Sequence, residues 1–163
     1  MIGGLAASVR VGHDLVLAIA GRIQQDRVDS ICRLAARAGV DGRLRFLGFV
    51  NDADLQALYR CALAHLFVPR LEGFGYTVLE AMASGCPVIT TKCGSLAEAA
   101  GNAALCVDPD DIEGIGNAIC RLASDQQLRS SMIEQGLAQP TRFTCELQAL
   151  ATLDVFRKVL ATT

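Results

Sequence analysis

Short aliphatic runs alternate with amphipathic stretches along most of this chain. LVLAIAG at 15–21, RLRFLG at 43–48, LAHLFV at 63–68, PVIT at 87–90 and AALCV at 103–107 read as strands, each bounded by polar, glycine or proline positions. Helical spacing fills the intervals. One helix is expected over about 24–38, with Ile31, Leu34 and Ala35 on one face and Gly39 closing it. Asn51 and Asp52 can cap a second that carries Leu55, Leu58 and Tyr59. Others are expected over about 76–84, after Ser95, where Ser95 and Glu98 have capping-box spacing, and from the DPDD stretch to about 123. The remainder reads as helix over about 125–136, a break at Pro140, and helix again over 144–160. In that last segment Leu147, Leu150, Leu153, Phe156 and Leu160 form a stripe, for which packing on the chain's own sheet and return toward another domain are equally good readings.

Apolar strands each followed by a helix describe a parallel sheet covered on both faces, so the fold class is α/β, a Rossmann-like, doubly wound sheet. Ligands of such sheets bind beyond the carboxyl ends of the strands, here the loops after Gly21, Gly48, Val68 and Thr90. A length of 163 residues suits one domain, and 52% hydrophobic against 20% charged residues suits a well-buried one. With no Trp and few aromatics, its core must be aliphatic. The formal charge of -2 offers nothing to nucleic acid or an anionic membrane. Seven cysteines occur without a CxxC pair and away from His13 and His65, so the expectation is reduced thiols filling a core, with no metal site. No segment reads as a targeting peptide or a membrane span, and a soluble, cytoplasmic protein is expected.

The loop after Val68 concentrates the chemistry: Pro69-Arg-Leu-Glu72-Gly73-Phe74-Gly75-Tyr76-Thr77-Val-Leu-Glu80. Two glycines let the backbone approach a ligand or take positive φ, and a helix begins at once, presenting free N–H groups. That combination favours a phosphate-bearing ligand. Glu72 in the loop and Glu80 in the helix can each accept from adjacent hydroxyls, as on a hexose or a ribose. Either glutamate alone would fit a purely structural part, since acidic residues commonly complement a helix start. Together, in this loop of a parallel sheet, they outline a site for a nucleotide sugar.

Glu72-Gly-Phe-Gly with Glu80, followed by Ala81-Met-Ala-Ser-Gly-Cys-Pro-Val-Ile89, resembles the E-x7-E signature of retaining GT-B glycosyltransferases, specifically family 4, the glycosyl transferases group 1. Arg45 to Val50, Gly94 to Glu98, Val107 to Asp110 and Arg142 to Thr144 agree with that family in order and spacing. The resemblance implies that residues 1–163 are a single nucleotide-sugar-binding GT-B C-terminal domain with a helical tail from about 125. It implies that Glu72, the catalytic-site candidate, holds donor-sugar hydroxyls; a nucleophilic role for that glutamate is the other proposal. Gly73, Phe74, Gly75, Tyr76 and Thr77 would face the sugar and diphosphate of a UDP- or GDP-sugar, Glu80 the ribose, and Phe49 and Val50 the base. No cofactor and no essential metal are implied.

The family also carries an earlier strand ending in an Arg and, about five residues on, a Lys that neutralise the diphosphate. Arg22 and Arg27 do not fit: only 15 residues separate Arg27 from Arg43, so both read as solvated positions on the next helix. The expectation is therefore a domain without its first strand, which re-pairs strands across the gap or borrows one from a partner. The N-terminal GT-B domain, with its acceptor site and catalytic histidine, would be a further partner, and the isolated chain would be inactive or nearly so. The alternative is a catalytically inactive nucleotide-sugar-binding or interaction module. A dinucleotide oxidoreductase is set aside, because no GxGxxG follows 15–20.

Overall fold

Among the described residues, five parallel strands fall into two sheets. In the computed structural model, which describes residues 1–161, β1 (Leu17–Ala20) pairs with β2 (Leu44–Gly48), while β3 (His65–Leu66), β4 (Val88–Thr90) and β5 (Ala104–Cys106) form the second sheet in that order. Leu17 lies opposite Leu44 and Ile19 opposite Phe46; in the other sheet His65 faces Val88 and Ile89 faces Leu105. All pairings are parallel, as the helix-separated runs require. The strands are shorter than the runs that announced them, most of all β3, which keeps two residues of LAHLFV.

The helices are α1 (Ile2–Arg10), α2 (Gln25–Arg37), α3 (Asp52–Cys61), α4 (Tyr76–Ala83), α5 (Leu96–Ala100), α6 (Ile112–Ser124), α7 (Gln126–Ala138) and α8 (Cys145–Ala161). Four begin on side-chain caps: Asn51 accepts from the Asp54 N–H, Asp111 from Gly114, Asp125 from Leu128 and Thr144 from Leu147, at 2.8 to 3.2 Å. One apolar cluster joins Val78, Met82, Val88, Leu96 and Ala100, holding α4 and α5 on one face of the β3–β5 sheet. A second joins Ile89, Ile115, Ile119, Leu122 and Met132, holding α6 and α7 on the other. The third, Leu5, Ala6, Ala35, Val40 and Leu44, ties α1 and α2 to the β1–β2 pair.

The expected re-pairing of strands across the gap does not occur. Each sheet has its own helices and its own core, so shifting β1 onto β3 would strip the cover from Ala35, Val40 and Leu44. Leu15 packs against both the second and third clusters and links the halves. Other expectations also need correction. Leu34 is exposed, because α2 turns only Ala35 fully inward. Of the cysteines only Cys86 is buried; Cys32, Cys61 and Cys145 lie on outward helix faces. The stripe on α8 does not pack on the sheet, and every residue of α8 is exposed.

Residues 2–10 form a helix although two glycines weigh against one. Tertiary contact decides it: a Cβ on Gly4 would stand 2.5 Å from Ile115 Cγ2, and one on Gly116 would stand 2.7 Å from Ala7 Cβ. The glycines let α1 and α6 approach backbone to backbone. Gly116→Ala is expected to cost about 1–3 kcal/mol through overpacking, partly offset by helix propensity worth about 1 kcal/mol. A lowered midpoint in urea unfolding checks this; an unchanged or raised midpoint shows that the helix pair can spread without loss.

His65 sits in β3 with its ring 5.9 Å from Phe67 in a stack and 5.3 Å from Tyr59 in an edge contact. Its Nε2 is sealed from solvent with no hydrogen-bond partner, and burial pulls its pKa down to about 4. The folded protein thus holds this ring neutral where an unfolded chain would protonate it. Stability is fully present above about pH 6.5 and falls as the pH drops toward 4, by up to about 3 kcal/mol. Unfolding measured between pH 7 and 4 should show that decline, and His65→Phe should flatten it.

Candidate functional site

The loop from Pro69 to Gly75 leaves the end of β3 and is held from behind by the segment after β4. Thr91 Oγ1 and Cys93 Sγ both donate to the Pro69 carbonyl, at 3.0 and 3.3 Å, and Ser95 Oγ donates to the Gly73 carbonyl at 2.7 Å. Gly94, at φ 53°, brings its backbone so near Glu72 that a Cβ there would lie 2.8 Å from the Glu72 carbonyl oxygen. Arg70 pairs with Asp110 across the surface. The capping box expected at Ser95 is therefore absent: Ser95 precedes α5 but makes no side-chain cap, its hydroxyl being committed to the Gly73 loop.

The two loop glycines do different work. Gly75 is the residue before α4, at φ 91°, and a Cβ there would stand 2.3 Å from Leu96 Cδ2. It supplies both the left-handed turn and the close approach. Gly73 has ordinary φ and nothing within 4 Å of a built Cβ, so the space it leaves faces outward. No side chain caps α4, so its first N–H groups have no side-chain acceptor, and such groups favour anions. Thr77 in that turn has a buried Oγ1 without a partner. Orphaned hydroxyls are costly unless something else satisfies them.

Glu72 is half-buried and its Oε1 accepts only a long 3.4 Å contact from the Phe74 N–H. Glu80 is exposed on α4. Its charge reaches Tyr59 of α3, whose phenol is pushed up to about 12, chiefly by burial and then by Glu80. Phe74 lies between Tyr76 at 4.7 Å and Phe143 at 5.7 Å. Tyr76 is 65% exposed, so the ring borders the open side of the loop instead of filling the core.

Phe49 and Val50 follow β2 and belong to the other half-sheet. Beside them an open surface depression is lined by Leu47, Phe49, Val50, Asn51, Asp54 and Leu58 among others. Phe49 is 70% exposed, and the Arg22 guanidinium stands 5.4 Å from its ring centre. Arg22 is not on a helix, contrary to expectation: α2 starts at Gln25, leaving Arg22 in the loop at the carboxyl end of β1. Arg27 is an exposed residue of α2, as its spacing suggests. The structure thus gathers Glu72 to Gly75 in one loop and sets Tyr76, Thr77 and Glu80 on the helix that follows. Sequence reasoning missed Ser95 and Arg22 as neighbours of these loops, since each contact joins segments far apart in the chain.

Residues 5–139 match the family model described as Glycosyl transferases group 1. The chain belongs to that family. It is 35% identical over 129 residues to the O-antigen chain mannosyltransferase B of Escherichia coli, covering 79% of this chain and 34% of that one. It is 30% identical over 136 residues to the D-inositol 3-phosphate glycosyltransferase of Corynebacterium urealyticum, covering 82% of this chain and 32% of the relative. The chain thus spans about a third of the length of these curated relatives. Among solved structures, the C-terminal domain of the group 1 glycosyl transferase LpcC of Francisella tularensis superposes with a TM-score of 0.74 at 27% identity, covering 87% of this chain and 76% of that domain. Anabaena HepE, solved in complex with UDP and glucose, superposes with a TM-score of 0.78 at 22% identity, covering 99% of this chain and 44% of that one. The fold of this group 1 chain is that of the GT-B glycosyltransferases, parallel sheets flanked by helices.

Proposed function

We propose that this group 1 chain is the donor-binding half of a retaining glycosyltransferase, which moves a hexose from a UDP- or GDP-sugar to a glycan or lipid acceptor. The observation that carries the reading is the Glu72–Glu80 segment: an uncapped helix start, a left-handed Gly75 and an orphaned Thr77 hydroxyl between two carboxylates. In this reading the first turn of α4 and the Thr77 hydroxyl receive the diphosphate. Glu72 takes sugar hydroxyls beside the open space at Gly73, Glu80 takes the ribose, and the base lies against Phe49 and Val50 at the depression. The chain acts as one nucleotide-sugar-binding domain, with a helical tail from about residue 125.

Two carboxylates beside a diphosphate require cations that Arg22 alone does not provide. We assign those cations to the end of a further strand that would join β1 and β3, and the acceptor site and the catalytic histidine to an N-terminal GT-B domain. A strand supplied by that domain, or by a second copy, would complete the open edges of β1 and β3. Transfer by these 163 residues alone is expected to be negligible.

Calorimetric titration tests the reading with UDP, GDP and their glucose and mannose conjugates. The chain should bind one nucleotide class saturably. Glu72→Gln should weaken the sugar conjugate by about 10-fold or more while leaving the bare nucleotide unchanged. Failure to bind any of these ligands would sink the proposal, and equal weakening of nucleotide and conjugate would remove Glu72 from the sugar.

A further inference from the structure

Phe143 reaches the Glu72 loop from beyond α7. After that helix the chain makes one tight turn at Pro140–Arg142, and the side chain that leads into the turn is pinned. Gln139 is 7% exposed, and its Nε2 donates to the carbonyls of Glu98 and Ala99 in α5, at 3.1 Å each. Its Oε1 accepts from Arg142 at 3.4 Å, and the Phe143 N–H donates to the Pro140 carbonyl at 2.9 Å. The Phe143 ring then meets the Phe74 ring edge-on, at 5.7 Å and 75°. Neither ring is a member of the three apolar clusters that hold the helices on the sheets.

We infer that Phe143 is a positioning residue for the donor sugar: it clamps Phe74 and, through the Phe74 backbone, aims the Glu72 carboxylate. This rests on the reading of Glu72 as the group that takes sugar hydroxyls. Phe74 stands between Gly73 and Gly75, and a peptide with glycine on each side has little stiffness of its own. The hydrogen bonds behind the loop hold the carbonyls of Pro69 and Gly73, and leave the Phe74 peptide to its side chain. That peptide matters, because its N–H donates to Glu72 Oε1 across 3.4 Å. So long a contact orients a carboxylate only where the backbone that makes it is itself still. Tyr76 touches the Phe74 ring at 4.7 Å but is mostly exposed and brings no second anchor. Phe143 brings one, through Gln139 and α5. The start of α4 is held separately, by Gly75 lying against Leu96 and by Val78, Ala81 and Met82 in the core. Losing the Phe143 ring therefore loosens the sugar end of the site and leaves the helix start in place.

Calorimetric titration with UDP, GDP and their glucose and mannose conjugates tests this. Phe143→Ala should weaken the conjugate that the wild type binds by about 3- to 10-fold, in line with the loss of one aromatic pair, with the bare nucleotide unchanged. Phe143→Tyr keeps the ring and should bind like the wild type. In a Glu72→Gln background Phe143→Ala should cost nothing further, because no carboxylate remains to be aimed. Amide hydrogen exchange on the ligand-free chain reads the clamp directly. The Phe74 and Gly75 N–H groups should exchange about threefold faster or more in Phe143→Ala, with the core amides of α4 unchanged. Equal weakening of nucleotide and conjugate overturns the inference, as does no weakening, or an undiminished effect beside Glu72→Gln. Unchanged exchange at Phe74 overturns it whether or not a ligand binds. A wild type that binds no conjugate removes the sugar from Glu72, and the exchange rates then show whether the clamp on the loop survives that loss.

Discussion

Glu80→Ala is expected to weaken binding of UDP or GDP by about 10- to 100-fold, the range for deleting a charged acceptor that holds hydroxyls. Glu80 is exposed on α4 and belongs to none of the apolar clusters, so the variant should unfold like the wild type. Affinity and stability are thereby separated. Its carboxylate is close enough to Tyr59 to help hold that phenol up near 12, and the Tyr59 titration should move downward in the variant even without ligand. The ribose role has a sharper test in a cycle with the 2′-deoxynucleotide. Wild type should lose affinity for the deoxy ligand, whereas Glu80→Ala should bind both forms alike. Equal nucleotide affinity in wild type and variant would sink the ribose assignment while leaving the Tyr59 shift intact.

Gly75→Val is expected to cost about 2–5 kcal/mol of stability and to abolish measurable nucleotide binding. Two effects add. A β-branched residue at φ 91° is held in a left-handed conformation it strongly disfavours. Its Cβ would also stand 2.3 Å from Leu96 Cδ2, and Leu96 is fully buried against the α4–α5 core with no room to retreat. The start of α4 must then move, and with it the uncapped turn and Thr77. For a chain of this length the melting temperature should fall by roughly 5–20 °C. Gly73→Ala is the matched control: with ordinary φ and open space it should melt like the wild type, so any loss of ligand reports on the outer side of the loop. A Gly75→Val protein that melts and binds normally would show that neither the turn nor the close approach is needed.

The Glu72–Glu80 segment was legible in the sequence because its information is local. A glycine loop, a helix start and two carboxylates are contiguous, and the structure places them as one unit at the end of β3. The five strands were legible for a related reason, since apolar runs between helical stretches have few other uses. What was not legible depended on contacts between distant segments. Ser95 has capping-box spacing, yet its hydroxyl is drawn to the Gly73 carbonyl, 22 residues away in the chain. Arg22 looked like a helix surface residue until α2 began three positions later and Phe49 came beneath it.

The same division holds for the fold. Hydrophobic period and glycine placement alone determined a parallel α/β architecture and the glycine loop that opens α4, because those signals act over a few residues. Tertiary structure alone decided that the strands form two sheets, that glycine-rich residues 2–10 become a helix against α6, and that the stripe on α8 stays exposed. Strand partnership and burial are set by which surfaces compete for the same cover. That competition is a property of the whole packed chain and leaves no mark in any short window of it.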